Sequence, residues 1–133
     1  LRILNEAAKQ GSDDARYTLG WLYFDGKAVK KDNDHAYELL KQVGGDYQIA
    51  ALILIAGIRA EGSSRIPGDR EEAQRLLNEA AVALEAQLKN FQGAPPDTVQ
   101  EITQRQQWLA DWTVLVGLAE EYGLSVSHQS GTR

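Results

Sequence analysis

The sequence predicts an all-α protein, a helical solenoid of tandem two-helix repeats closed by a long C-terminal helical hairpin. Three observations carry this. One helical segment recurs three times at nearly constant spacing, the helix between the copies recurs with it, and two long apolar-striped helices follow the last copy.

The recurrence begins with Ile3-Leu4-Asn5-Glu6-Ala7-Ala8, which returns almost unchanged as Leu76-Leu77-Asn78-Glu79-Ala80-Ala81, with Leu39-Leu40-Lys41-Gln42-Val43-Gly44 between them. The offsets are 36 and 37 residues. In the intervening helix Ala15, Leu19, Gly20 and Gly26 correspond to Ala51, Ile55, Ala56 and Gly62, and Val29, Asp32 and Ala36 correspond to Ile66, Asp69 and Ala73 after one extra loop residue. The small residues suit a close crossing of two helices. A glycine inside a helix costs about 1 kcal/mol relative to alanine, so Gly20 points to an approach that a side chain would block. Gly26 and Gly62 stand where a helix must stop, and glycine takes up the left-handed C-terminal cap without steric cost. Asp32 and Asp69 are placed to cap the helices that follow, the latter with Glu72 at capping-box spacing.

The pattern Ala15-x3-Leu19-Gly20-x2-Tyr23-x2-Gly26-x2-Val29-x2-Asp32-x3-Ala36 resembles the Sel-one-like repeat of the tetratricopeptide superfamily. The first copy has Ala28 where that family commonly has a second loop glycine, and the second has Arg59 at the tyrosine position. The resemblance covers about Leu1 to Ala81. It implies a right-handed α-solenoid of TPR-like repeats, a concave surface lined by the first helix of each pair, and work as a protein-protein interaction scaffold, with bacterial envelope or signalling assemblies, the periplasm included, among its contexts.

Helices are expected at 2–10, 13–24, 33–43, 47–60, 70–91 and 97–122. Residues 1–123 then form one domain: a half repeat (1–10), a repeat (11–44), a divergent repeat (45–82) and the long hairpin (70–123), followed by a flexible tail (124–133). In the fifth helix Ala73, Leu77, Ala80, Leu84, Leu88 and Phe91 form an apolar stripe. Gly93-Ala94-Pro95-Pro96 breaks the chain before Asp97, a candidate cap, and Gly123 ends the last helix. Leu1 falls inside an amphipathic helix and there is no methionine, which suggests a fragment or processed form of a longer chain.

Composition narrows the function. The 133 residues carry 14 Lys plus Arg against 19 Asp plus Glu, a formal charge of -5, so no basic field attracts nucleic acid. Residues 1–44 hold seven charges of each sign, and the excess acidity belongs to the remainder. The absence of cysteine excludes disulfides and thiolate chemistry. The apolar run from Ile49 to Ile58 is far shorter than the roughly 20 residues of a membrane span and reads as a buried helix.

No motif carries catalysis. Gly20-x5-Gly26-Lys27-Ala28 has the wrong glycine spacing for a phosphate-binding loop and no Ser or Thr after the lysine. Asp25, Asp32 and Asp34 lack the alternating spacing of a calcium loop, and neither His35 nor His128 has metal-ligand or triad spacing. Glu120-Glu121 point about 100° apart on a helix. A stand-alone enzyme using carboxylates such as Asp111 and Glu120 finds nothing to orient them, and no metal or other cofactor is expected.

Two aromatic features remain. Tyr17, Trp21 and Phe24 share one helical face, flanked by Asp13 and Arg16, and read either as a partner-binding stripe or as packing against a neighbouring helix. Trp108, Trp112, Leu115, Ala119 and Tyr122 share another, and that helix is apolar almost all round. It reads either as a plug for the end of the stack or as a surface for self-association or a partner, with Trp108 and Trp112 as anchors. The expected function is therefore a non-enzymatic adaptor binding a protein or peptide; the alternative is the repeat region of a larger enzyme or envelope assembly protein. A Tyr17→Ala/Trp21→Ala double variant distinguishes the roles of the first stripe by circular dichroism. Retained helicity with loss of a captured partner marks a binding surface, whereas unfolding marks core.

Overall fold

The computed structural model describes residues 1–89 and 98–126. These form α1 (Arg2–Lys9), α2 (Asp13–Asp25), α3 (Asn33–Leu40), a 3₁₀ turn (Gly45–Tyr47), α4 (Gln48–Glu61), α5 (Arg70–Lys89) and α6 (Val99–Tyr122), with no strand among the described residues. The protein is all-α. The starts of α2, α3 and α5 are held by the residue type the sequence offers there: Ser12 accepts from the Ala15 amide at 3.1 Å, Asp32 from His35 at 3.0 Å and Asp69 from Glu72 at 3.0 Å, whereas α1 and α4 start without a side-chain cap. Glu72 itself pairs with Arg75 at 2.6 Å, and the reciprocal capping box forms at Thr98 and Glu101 on α6 instead.

Several boundaries differ from the sequence expectation. Helix α3 stops at Leu40, three residues early, because the chain turns at Lys41–Val43 and enters the 3₁₀ turn. The Asp13 carboxylate accepts from the Gly44 amide at 3.1 Å and ties that turn to the start of α2. Gly26 adopts the expected left-handed cap (φ 75°, ψ 15°), but Gly62 pairs its positive φ of 79° with an extended ψ of 176°. A Cβ at Gly62 would stand 2.7 Å from the backbone nitrogen of Gly68, so the α4–α5 loop closes directly on it. Leu124 and Val126, expected in a flexible tail, pack against the core, and the Ser125 amide donates to Gln74 of α5 at 2.8 Å. Phe91, the Gly93–Pro96 break, Asp97 and His128 lie outside the described residues.

Helices α2, α4 and α6 form a row running in one direction. Phe24, Gly57 and Leu118, all in the second halves of their helices, meet at its centre: a Cβ on Gly57 would lie 2.8 Å from the Phe24 ring and 3.5 Å from Leu118. Each remaining helix lies against members of this row, α1 against α2, α3 against α2 and α4, and α5 against α4 and α6. Gly20 admits the Leu40 side chain to 2.6 Å of where its own Cβ would stand, the close crossing expected at this position. The core is aliphatic, with Leu19, Leu40, Ile53, Leu54, Ile58, Leu77, Leu84 and Leu115 fully buried.

A polar knot closes the C-terminal ends of the row. Glu61 accepts from the buried Asn33 side chain at 2.8 Å, pairs with Lys31 at 3.1 Å and accepts the Tyr122 hydroxyl. Burial acts to raise the Glu61 carboxyl, but the hydrogen bonds from Tyr122, Asn33 and Lys31 outweigh it and hold the group below its ordinary value. Arg70 donates to the carbonyl oxygens of Tyr122, at 2.8 Å, and Gly123, so the start of α5 neutralises the end of α6 and the two run antiparallel. No described helix is long and apolar enough to cross a membrane.

Two changes test this account. Gly62→Ala should cost about 2–4 kcal/mol, combining left-handed strain with the clash at Gly68, measured by chemical denaturation. Glu61→Ala should cost about 1–3 kcal/mol by removing the acceptor of Tyr122 and one of the two acceptors of Asn33, which keeps only the Gly62 carbonyl at 3.2 Å; because its carboxyl is depressed in the fold, the loss should be full at neutral pH and shrink as pH falls through the carboxylate range.

Candidate functional site

The most chemically distinctive region lies between the 3₁₀ turn and the first half of α6. Tyr47 ends the turn and stacks on Tyr17 of α2, with ring centroids 5.5 Å apart and an interplanar angle of 26°. Tyr47 and Asp46 line a cleft of about 600 Å³ together with Val99, Gln100, Glu101, Thr103, Gln104 and Gln107 of α6. Gln107 reaches back to donate to Asp111 Oδ1 at 2.9 Å.

Asp111 is only 3% exposed, and its Oδ2 has no hydrogen-bond partner among the described residues. Burial raises its carboxyl from 3.8 to about 6, against the opposing hydrogen bond from Gln107. The Tyr17 hydroxyl is pushed up to about 12, first by burial, then by the charges of Asp111 and Tyr47. Tyr47 is raised by burial and by Asp14, Asp46 and Asp111. Three carboxylates thus act on one tyrosine pair. The region presents acceptors and π faces, a combination suited to a cationic group. Among the described residues no three His, Asp or Glu side chains converge to hold a metal ion.

The residues singled out in the sequence divide by depth. Tyr17 stands half-buried in the tyrosine pair, and Trp21 is exposed on α2 at 41%. Phe24 is buried at 8%, with Lys31 Nζ 4.6 Å from its ring centre, and is therefore a core residue in place of a surface anchor. Helical spacing aligned the three, but α4 covers only the Phe24 end of α2. Asp13 holds the Gly44 turn, and Arg16 lies 3.7 Å from it; both serve the local fold beside Tyr17. Trp108 and Trp112 are half-buried against the core, and Trp112 also lines an apolar groove of about 640 Å³ with Val82, Ala86, Leu88 and Leu109.

No family model, curated protein or solved structure matches the chain.

Sequence reasoning missed Tyr47 and Gln107 and considered Asp111 only alongside Glu120, as a carboxylate that a stand-alone enzyme could use. One signal was available: Asp111 stands within the apolar face that holds Trp108, Trp112 and Leu115, where an ionised group needs a reason. Tyr47 carried no signal, because its pairing with Tyr17 depends on the turn after α3.

The raised carboxyl fixes a sign. Asp111 favours the folded state below about pH 4, and its contribution is lost as pH rises through about 6. Asp111→Asn should stabilise the protein by about 1–2 kcal/mol at pH 8 and by much less at pH 4, read from thermal denaturation at the two values.

Proposed function

We propose that this chain is a non-enzymatic adaptor, a short right-handed solenoid of two-helix repeats of the Sel-one-like kind. Its cleft beside the Tyr17–Tyr47 pair takes a basic segment of a protein partner. The reading is supported above all by Asp111, a buried carboxylate with one unpartnered oxygen beside two stacked tyrosines. Structural packing alone would favour an apolar residue there, since burying a charge without full hydrogen bonding is costly. Asp111 adds negative charge behind the cleft for an incoming lysine or arginine, and Tyr47 offers a π face to its aliphatic stem. Gln104 and Gln107 add amides for peptide backbone groups, and Asp46 adds negative charge at the rim.

The alternation of helices supports the repeat reading. Helices α2 and α4 are sequence-equivalent and adjacent, and the segments matched at period 36 and 37 fall on α1, α3 and α5 and the turn after α3.

The reading is tested by fluorescence anisotropy with labelled unstructured peptides, one lysine-rich and one glutamate-rich. The lysine-rich peptide should bind and the glutamate-rich one should not. Tyr47→Ala should weaken binding about tenfold with helicity retained, as expected for the loss of one aromatic anchor. Equal binding of both peptides, or indifference to Tyr47→Ala, would overturn it.

A further inference from the structure

One side chain joins the tyrosine cleft to the interior. Gln107 lines the cleft, and the same amide donates from Nε2 to Asp111 Oδ1 at 2.9 Å, one turn further along α6. Asp111 does not itself line the cleft. It is 3% exposed, and its Oδ2 has no partner among the described residues. With Nε2 committed to Asp111, the atom that Gln107 has left for a ligand is Oε1, an acceptor.

The groups packed around Asp111 bring it no counter-charge. From α2 it acts on Tyr17 and from the 3₁₀ turn on Tyr47, and the Asp14 and Asp46 carboxylates act on Tyr47 as well. Helix α4 has no titratable side chain between Gln48 and Ile58, Glu85 and Lys89 of α5 belong to the groove that Leu109 and Trp112 share, and along α6 the nearest ionisable residues in sequence are Arg105 and Glu120. None of the groups acting on the Asp111 carboxyl is a cation; burial raises it to about 6 against the Gln107 hydrogen bond. A carboxyl so placed takes up a proton in mild acid, and once neutral it must donate as well as accept. A buried O–H without an acceptor is costly. Oδ2 has no acceptor within reach, whereas Oδ1 faces the Gln107 amide. The proton is therefore best held on Oδ1 and donated to Gln107 Oε1, which requires the amide to turn over and bring Nε2 to the cleft.

We infer that Asp111 and Gln107 form a proton-controlled relay: the cleft offers an acceptor to a cation while Asp111 is ionised, and amide N–H donors once Asp111 is protonated. Gln107 is then a positioning residue, since it carries the state of a buried group to the cleft surface. This rests on the basic-segment reading of the cleft and adds its regulation, capture at neutral pH and release in mild acid. Two effects act in the same direction, the loss of negative charge behind the cleft and the reversal of the amide at its wall.

Anisotropy titrations of the labelled lysine-rich peptide at about pH 7.5 and about pH 5, with helicity checked by circular dichroism at both, test this. Lysine keeps its charge across that interval. The Kd should rise about tenfold at the lower pH, where only about a tenth of Asp111 stays ionised. Asp111→Asn keeps the shape and can donate to Gln107 Oε1, so it should bind weakly at both values, as the unaltered chain does in acid. In the peptide-free chain the side-chain amide signals of Gln107, followed by ¹⁵N NMR, should shift with a midpoint of about pH 6 and should stay fixed in Asp111→Asn. Equal affinity at the two values, an Asp111→Asn variant that weakens as steeply as the unaltered chain, or a Gln107 amide that does not titrate overturns the relay. Absence of binding at both values overturns the basic-segment reading instead, and the peptide-free Gln107 signal then decides the relay by itself.

Discussion

Helix α4 is apolar on nearly every side, and the rest of the molecule is arranged to keep it from water. Ala50, Ala51, Ile53, Leu54, Ala56, Gly57 and Ile58 are all buried, so no single partner helix suffices. Helices α2 and α6 cover it within the row, and α3 and α5 cover its remaining sides. Close approach at the centre depends on Gly57, since any side chain there would push Phe24 away and open α4 to solvent. Burial of this kind, at about 25 cal/mol per Å² of apolar surface, is what gathers helices too short to persist alone, such as α1 and α3.

The ends of these helices leave polar groups that burial alone would penalise. Glu61, Asn33, Lys31 and Tyr122 answer one another at the C-terminal end of the row, and Arg70 answers the last carbonyls of α6. The opposite end is treated differently. There Asp111 is buried with an oxygen unanswered among the described residues, near tyrosines whose hydroxyls are raised first by burial and then by nearby negative charge, Asp111 included. One end of the row is electrostatically closed and the other is not, and this asymmetry separates a structural cluster from a candidate binding site.

The two ends of the described row show how a neighbouring helix sets exposure. Ile3 and Leu76 occupy equivalent positions in nearly identical segments, yet one is solvated and the other buried. Their chemistry is the same and only the presence of a neighbour differs. Trp21 and Gly117 belong to the same situation, a large exposed residue at one end and an open glycine at the other.

Local composition determined much of this protein without help from the fold: the all-α class, the helix count, the Asp32 and Asp69 caps, the stop at Gly26 and the close crossing at Gly20. Each depends on residues within a turn or two of one another, or on a period the chain repeats, so each was legible in one dimension. Depth was not. Tyr17, Trp21 and Phe24 share a face by spacing, but whether each meets solvent, a cleft or the core depends on where α4 and α6 end. The Tyr17–Tyr47 stack, the stranded oxygen of Asp111 and the knot at Glu61 join residues from elements distant in sequence, and no local pattern encodes such meetings.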